Sequence, residues 1–503
     1  MKYLLGIDNG GTYAKAALVD ELGHQVAVAS ELVPSIHEKL DFAERDMKEL
    51  WKANCHAIRR AISESGVTAG EIAGISFSGH GKGLYLIGRD GEPVRNGILS
   101  TDNRAREYVK KWIDNGTAKK VREITYQTVL ACQPVSLLAW LRDHEPEVYD
   151  KAFYVFSVND YIRFCLTGVP GAEITSASGS NLVNMATGKY DPEILSEFGI
   201  RDAYDKLPPL KMPTEICGSV TELAAAETGL RVGIPVCAGM FDIDACGIAA
   251  GLSDESKICM IAGTWSINEF ISRSPIVNQT NSLNSLFCIP GYYLIEESSP
   301  TSAGNLEWFV KNLLKSENSP KGGKNKALYN QIDEWVESVS PEESVPVFLP
   351  FLDGSNESPL AKAAFVGLTS YHTKCHLMRA VYEGVVFSHA THVKRLLENH
   401  VTPSGISLTG GVTNSKIWVQ IFADVLQIPI YVIQEKESGA QGAAIAASIA
   451  AGIYLNFEEA VRNMVHVSHT VQPRQELKEV YEKKYDAYRR VIAGLSSVWP
   501  CFK

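Results

Sequence analysis

A surplus of basic residues is missing from this chain. Its 48 Lys and Arg against 58 Asp and Glu leave a formal net charge of −10 over 503 residues. Nucleic-acid binding draws on Lys and Arg to displace counterions from phosphates, so no nucleic-acid partner is expected, although a local basic pocket stays open. Zinc-ligand spacing is missing too. The ten cysteines are scattered, with no CxxC or CxxH, which removes the common structural zinc patterns. Several lie in apolar runs such as KICMIAG (257–263) and read as small buried hydrophobes, a usage that suits a reducing cytoplasm. No leader and no membrane contact are expected. Met1–Lys2 leads straight into a strand-like run, and the most apolar stretch, GAAIAASIAAGIYL (442–455), is too short and too rich in Ala and Gly to span a bilayer. No GxxxxGK[ST] occurs and no GxGxxG follows the first strand, so Walker-type NTPases and dinucleotide-binding sheets are poor candidates.

What is present describes a globular chain, 45% hydrophobic and 21% charged. Its length exceeds one ordinary core, so two domains are expected, with room for an insertion. YLLGID, AKAALVD and QVAVASEL read as three strands, the last two joined by a tight turn. Apolar spacing predicts a helix over 46–66, stopped by Gly66, and a strand over 71–79. Further helices are predicted at about 136–143 and 158–166. After LPPLKMP (207–213) the pattern begins again. GIPVCAG is a strand, ACGIAAGLS a short helix and KICMIAGTWSINEF a strand, Gly-Thr turn and strand. A long helix is predicted over 372–399. GISLTGGVTNSKIWVQIFADVLQIPIYV reads strand, Gly-Gly turn, helix, strand, and GAQGAAIAASIAAG is a final helix. Two α/β domains of similar design follow, each with glycine turns at strand ends, where ligands of open α/β sheets bind.

Three glycine turns stand out: Asp8 to Thr12, Gly263–Thr264 and Gly410–Gly411. Without Cβ atoms, such turns let backbone N–H groups approach phosphate. Asp8 ends an apolar strand, where it serves as a turn aspartate or holds a hydrated magnesium ion beside a polyphosphate. Asp242 and Asp244 lie at a strand-to-helix junction. One of them could cap the helix. One could take a proton from a substrate hydroxyl during phosphoryl transfer, which asks mainly for orientation and a modest base. His80 and Lys82 sit among three glycines in GHGKGLYL, while DNRA (102–105) and Asn159–Asp160 add polar groups after apolar runs.

Together these stretches resemble the FGGY family of carbohydrate kinases. TGGVTNSKIWVQIFADVLQIPIYV, with EKESGAQGAAIAA behind it, is similar to the family's C-terminal signature. DNGGTYAKAAL, DHEPEVYDKA, DYIRFCLTG, the Asp242 segment, AGTWS, AGNLEWF and FLPFLDGSNESPL extend the resemblance nearly end to end. It implies an α/β fold of two actin-like (ribonuclease H-like) domains around a central cleft. The N-terminal, sugar-binding domain is placed at 1–246 and the C-terminal, ATP-binding domain at 247–503. It implies ATP and Mg2+, with Asp8, Gly11, Thr12 and Lys15 on the first phosphate loop and Gly263 and Thr264 on the second. Gly410, Gly411 and Asn414 fall in the adenosine site, and Gly304 also falls on the nucleotide side. Asp8 holds the metal through water. Asp242 matches the catalytic base, its spacing to Gly263 suiting the family better than that of Asp244. Sugar would meet His80, Lys82, Asp102, Arg104, Asn159, Asp160 and Asp242.

Within the family the resemblance is closest to kinases of L-xylulose and 3-keto-L-gulonate, on GKGL, NGILSTDNRA, QPVSLLAWLRDHEPE, SPTSAGNLEWF and YEGVVFSHATHVKRL. D-xylulose kinases carry a Gln-Met-His-Gly-like turn where this chain has His80-Gly81-Lys82-Gly83, so Lys82 replaces a sugar-contacting histidine. A lysine lining a sugar pocket needs a partner. A carboxylated sugar would supply one; the alternatives are that Lys82 pairs with Asp102 or points outward. A homodimer is the candidate assembly. Kinases of D-xylulose, ribulose or a polyol, and a non-catalytic actin-fold sensor of sugar or nucleotide, are the competing readings.

Overall fold

A computed structural model describes residues 1–277, 283–314, 326–358, 360–398, 402–435 and 437–502. The chain divides into two compact units, each assembled from separated segments. The first comprises 1–253, 271–295 and 437–466; the second comprises 254–270, 296–436 and 467–503. The family resemblance had placed the division at 246/247, a point that lies inside the helix Asp242–Ala249.

The first unit is built on a sheet ordered Ile216–Ser219, Pro235–Cys237, Ile72–Gly79, Tyr3–Asn9, Tyr13–Asp20, Gln25–Leu32, with Met240–Phe241 pairing to the end of Ile72–Gly79. Tyr3–Asn9 runs antiparallel to Tyr13–Asp20 and parallel to Ile72–Gly79. It is central, and Leu4, Leu5 and Ile7 are fully buried, as expected of a strand covered on both faces. One cover is the helix Met47–Ser65, which Asp46 caps by accepting the Lys48 and Glu49 N–H groups and Gly66 closes at φ 71°. The other is the helix Ser438–Ala450, from the GAQGAAIAA stretch. Its small residues permit a very close approach. A Cβ on Gly6 would stand 1.9 Å from the Ala440 carbonyl oxygen, and one on Gly442 would stand 2.0 Å from the carbonyl oxygen of Ala245.

The second sheet is ordered Leu283–Leu286, Tyr293–Ser299, Ser266–Ser272, Lys257–Ala262, Gly405–Thr409, Ile430–Ile433, Val467–Val471. As in the first, the strand that ends in a glycine turn is antiparallel to its successor and parallel to a later strand. A second parallel strand and an antiparallel edge strand follow. The duplicated design expected from the glycine turns is therefore present as repeated strand topology. The long helix expected over 372–399 spans Lys374–Leu397, and residue 399 lies outside the described residues. No helix among the described residues is long and apolar enough to cross a membrane. All ten cysteines are free thiols.

Candidate active site

The first glycine turn joins Tyr3–Asn9 to Tyr13–Asp20 and is closed by the Gly10 N–H, which donates to the Tyr13 carbonyl at 3.1 Å. Gly11 and Thr12 are exposed at its tip. Asp8, one step below, faces Lys15 across the strand pair. The Ser78 hydroxyl donates to Asp8 Oδ1 at 2.5 Å. Burial raises the Asp8 carboxyl above the ordinary range, while Lys15 and the Ser78 hydrogen bond pull it back. Lys15 itself donates to Glu437 at 2.6 Å. Burial disfavours its charge, but Asp8 and Glu437 outweigh burial and hold the ammonium above the usual lysine range. Gly439, in the first turn of Ser438–Ala450, leaves room for this cluster: a Cβ there would stand 2.8 Å from Asp8 Oδ1 and from the Ser78 hydroxyl.

The two aspartates at the strand-to-helix junction differ in surroundings. Neither is the N-cap; Phe241 holds that position and both lie in the first turn of Asp242–Ala249. Asp244 is fully buried, and its Oδ1 accepts the Cys288 N–H at 2.9 Å. Asp242 keeps part of its surface open. The peptide groups leading into Asp242 are gripped from outside: Asn159 donates to the Met240 carbonyl at 3.0 Å, and the Phe241 N–H donates to Thr175 Oγ1 at 2.9 Å. Thr175 in turn donates to the Glu173 carboxylate at 2.7 Å. Glu173 is fully buried, and burial, helped by the Asp160 charge, pushes its carboxyl up to about 7 against three hydrogen bonds from Thr175 and Ser176.

Several residues expected to touch sugar are engaged within the protein. Asp102 accepts from the Ala43 N–H at 2.8 Å and from the Arg104 guanidinium at 2.9 Å, and Arg104 continues to Glu44 at 2.6 Å. Asp160 receives the Ser157 hydroxyl at 2.8 Å, the Glu173 N–H at 3.0 Å and Arg163 at 3.0 Å. Asn159 is fully buried on the Met240 carbonyl. His80 is buried. Its Nδ1–H donates to the Gly81 carbonyl at 3.3 Å, which leaves Nε2 to accept from the Tyr85 hydroxyl at 3.1 Å. Burial, then the nearby Arg45 charge, lowers His80 to about 4, so its ring is neutral near pH 7. Lys82 behaves differently. It is partly buried, holds φ at 65°, lines a cavity with Ser176 and Ser180, and makes no ion pair among the described residues. The Asp102 alternative does not apply, because Arg104 occupies that carboxylate.

The second unit brings its own expected residues together. Gly410, at φ 99°, packs so closely that a Cβ would stand 2.5 Å from the Ala262 carbonyl oxygen, beside Gly263. The Ser302 N–H donates to the Thr264 carbonyl at 2.9 Å, which sets Gly304 beside the same turn. Thr264, Gly410, Gly411 and Asn414 are exposed, and Asn414 donates to the Gly411 carbonyl at 3.0 Å. His389, from the long helix, supports this turn. Its Nδ1–H donates to Asn268 at 2.8 Å, and Nε2 accepts from Ser302 at 2.8 Å. Burial lowers His389 to about 3.

Sequence reasoning missed Arg45, Ser78, Gly439, Thr175, Glu173 and His389. Apart from Glu173, which holds Thr175 two residues on, each acts through a partner far along the chain. Only SGAQG carried a local signal, small residues where a helix meets a strand. Among the described residues no cluster of three His, Cys, Asp or Glu side chains suits a metal.

The N-terminal domain of the FGGY family of carbohydrate kinases matches residues 3–248, and its C-terminal domain matches residues 258–451. An L-xylulose/3-keto-L-gulonate kinase of Escherichia coli (strain K12) is 39% identical, over 98% of this chain and 97% of its own. A probable L-xylulose kinase of Pasteurella multocida (strain Pm70) is 38% identical, over 99% and 100%. Among solved structures, the ligand-bound xylulose kinase from Lactobacillus acidophilus matches with a TM-score of 0.90 at 25% identity, covering 100% of both chains. These agree with the duplicated α/β sheets and the glycine turns. The chain belongs to the FGGY family of carbohydrate kinases and is a sugar kinase of two α/β domains with the actin-like fold.

Proposed function

We propose that the chain transfers the γ-phosphoryl group of ATP to a hydroxyl of a keto-sugar, L-xylulose or 3-keto-L-gulonate. The family supplies ATP as the donor, and the named relatives at 38–39% identity suggest the acceptor. The observation that carries the substrate choice is Lys82, partly buried at a cavity whose carboxylate, Asp160, is taken by Arg163, so that Lys82 makes no ion pair among the described residues. A sugar carboxylate would complete it with a charge-assisted hydrogen bond.

Asp242 is proposed as the base. It would accept the proton of the attacking hydroxyl as the new O–P bond forms, leaving ADP on the other side of the phosphorus. Asp244 is the weaker candidate because its Oδ1 holds the Cys288 N–H in the core. Gly11, Thr12, Gly263 and Thr264 are proposed to hold the ATP phosphates, and Gly304, Gly410, Gly411 and Asn414 the rest of the nucleotide. Asp8 suits a magnesium ion bound through water, which would supply charge neutralisation at the phosphates. In this scheme residues 1–246 serve mainly the sugar, apart from the first phosphate turn, and 247–503 serve mainly ATP. Ten free thiols support a reducing compartment such as the cytoplasm.

The test is an ADP-release assay across L-xylulose, 3-keto-L-gulonate, D-xylulose, ribulose and a polyol. We expect the first two to give the highest kcat/KM; a ribulose or polyol optimum would replace the proposed acceptor. Lys82→Met separates the two preferred substrates. A lost charge-assisted bond worth about 1.5–3 kcal/mol should cut kcat/KM for the acid about 10- to 150-fold, with L-xylulose changed less than about threefold. Equal losses would remove the carboxylate role.

A further inference from the structure

The first phosphate turn rests on a buried cation that makes no ion pair among the described residues. Arg45 is fully buried. Its Nη1 donates to the Gly10 carbonyl at 3.3 Å and its Nη2 donates to the Gly11 carbonyl. The nearby carboxylates are committed elsewhere. Glu44 serves Arg95 and Arg104, Asp102 serves Arg104, and Asp46 caps Met47–Ser65. The other groups facing Arg45 are the neutral His80 ring and the Tyr85 phenol.

In a trans peptide the C=O and the following N–H point in opposite directions. Two carbonyls drawn inward to one guanidinium therefore turn two N–H groups outward, those of Gly11 and Thr12. Both residues are exposed, and neither N–H donates to a backbone or side-chain acceptor among the described residues. A buried guanidinium met only by carbonyl dipoles and neutral rings is costly, and an anion on the far side of the turn would offset that cost. We propose that Arg45 is the positioning residue of the phosphate turn, holding the Gly11 and Thr12 amides toward the phosphates of ATP and adding its own field to theirs. This rests on the kinase reading of the turn. Lysine is a poor substitute, because one ammonium does not reproduce the planar fork that spans two carbonyls.

The test compares R45K and R45Q with the unmodified protein in two measurements. One is kcat/KM for ATP at saturating sugar; the other is sugar affinity without nucleotide, by calorimetry. We expect kcat/KM for ATP to fall at least tenfold in R45K and further in R45Q, with the sugar Kd within twofold in both. An unchanged kcat/KM for ATP, or a sugar Kd weakened by the same factor, would overturn the proposal. R45K decides the matter if R45Q does not fold. D242N, assayed alongside, separates the two levels: if D242N turns over normally, the proposed base fails whatever Arg45 does.

Discussion

Gly439→Ala probes the support of Asp8 most sharply. The added Cβ would stand 2.8 Å from Asp8 Cγ, Asp8 Oδ1 and the Ser78 hydroxyl, where ordinary contact begins at 3.4 Å. Either the helix Ser438–Ala450 or the carboxylate must therefore retreat by about 0.6 Å, the difference between those two distances. The helix is constrained on its other side, because Gly442 already meets Ala245. Asp8 is short and anchored on a central strand, so the shift falls on it and on Ser78. Overpacking of this kind costs about 1–3 kcal/mol, offset in part by the better helix propensity of Ala, up to about 1 kcal/mol. Stability should therefore drop by about 0–3 kcal/mol from those two effects. Activity should drop more, since misplacing a catalytic group by about 1 Å costs about 100-fold. We expect kcat to fall about 10- to 100-fold on the same scale, with sugar affinity nearly unchanged. The assay is ADP release at saturating ATP and L-xylulose, with sugar binding by calorimetry. A Gly439→Ala enzyme with the parent kcat would refute the argument that this contact positions Asp8.

Thr175→Val deletes both the acceptor for the Phe241 N–H and the donor to Glu173, so kcat should fall about tenfold or more through displacement of Asp242. Thr175→Ser keeps the hydroxyl and should retain most turnover; equal loss in both variants would argue for packing alone. His389, held near 3 when folded against an ordinary 6.5, stays neutral while an unfolded imidazole gains a proton. Its stabilising contribution is complete above pH 6.5 and declines as pH falls from there toward 3, by about 1.4 kcal/mol per pH unit. His389→Gln should flatten the pH dependence of the denaturation midpoint between pH 6.5 and 5; an unchanged slope would contradict this.

The glycine turns were legible because their chemistry is local. A strand ending in Asp8-Asn9-Gly10-Gly11-Thr12 leaves its tip open, and Gly11 and Thr12 are exposed in the structure. The repeated design was legible for the same reason, because each strand and the glycine turn that follows it are contiguous in the sequence. Long-range pairing was not. DNRA offered Asp102 and Arg104 as a pair of polar groups, but nothing nearby indicated that they bind each other and Glu44. Arg45, in AERDMKEL, reads as an exposed charge before a helix; its partners lie 34 and 35 residues upstream. The return of 437–466 to the first unit was equally hidden, although the run of Ala and Gly there is the feature that lets the helix sit on Gly6.

The central claim is that this kinase moves phosphate onto a keto-sugar with Asp242 as the base. Its most direct measurement is L-xylulose phosphorylation by the unmodified enzyme and by Asp242→Asn, with binding of a non-hydrolysable ATP analogue measured in parallel. Removal of a general base costs about 10²- to 10⁴-fold. The account predicts a loss of that size in kcat with analogue affinity unchanged within twofold. Turnover by Asp242→Asn close to that of the unmodified enzyme would contradict it.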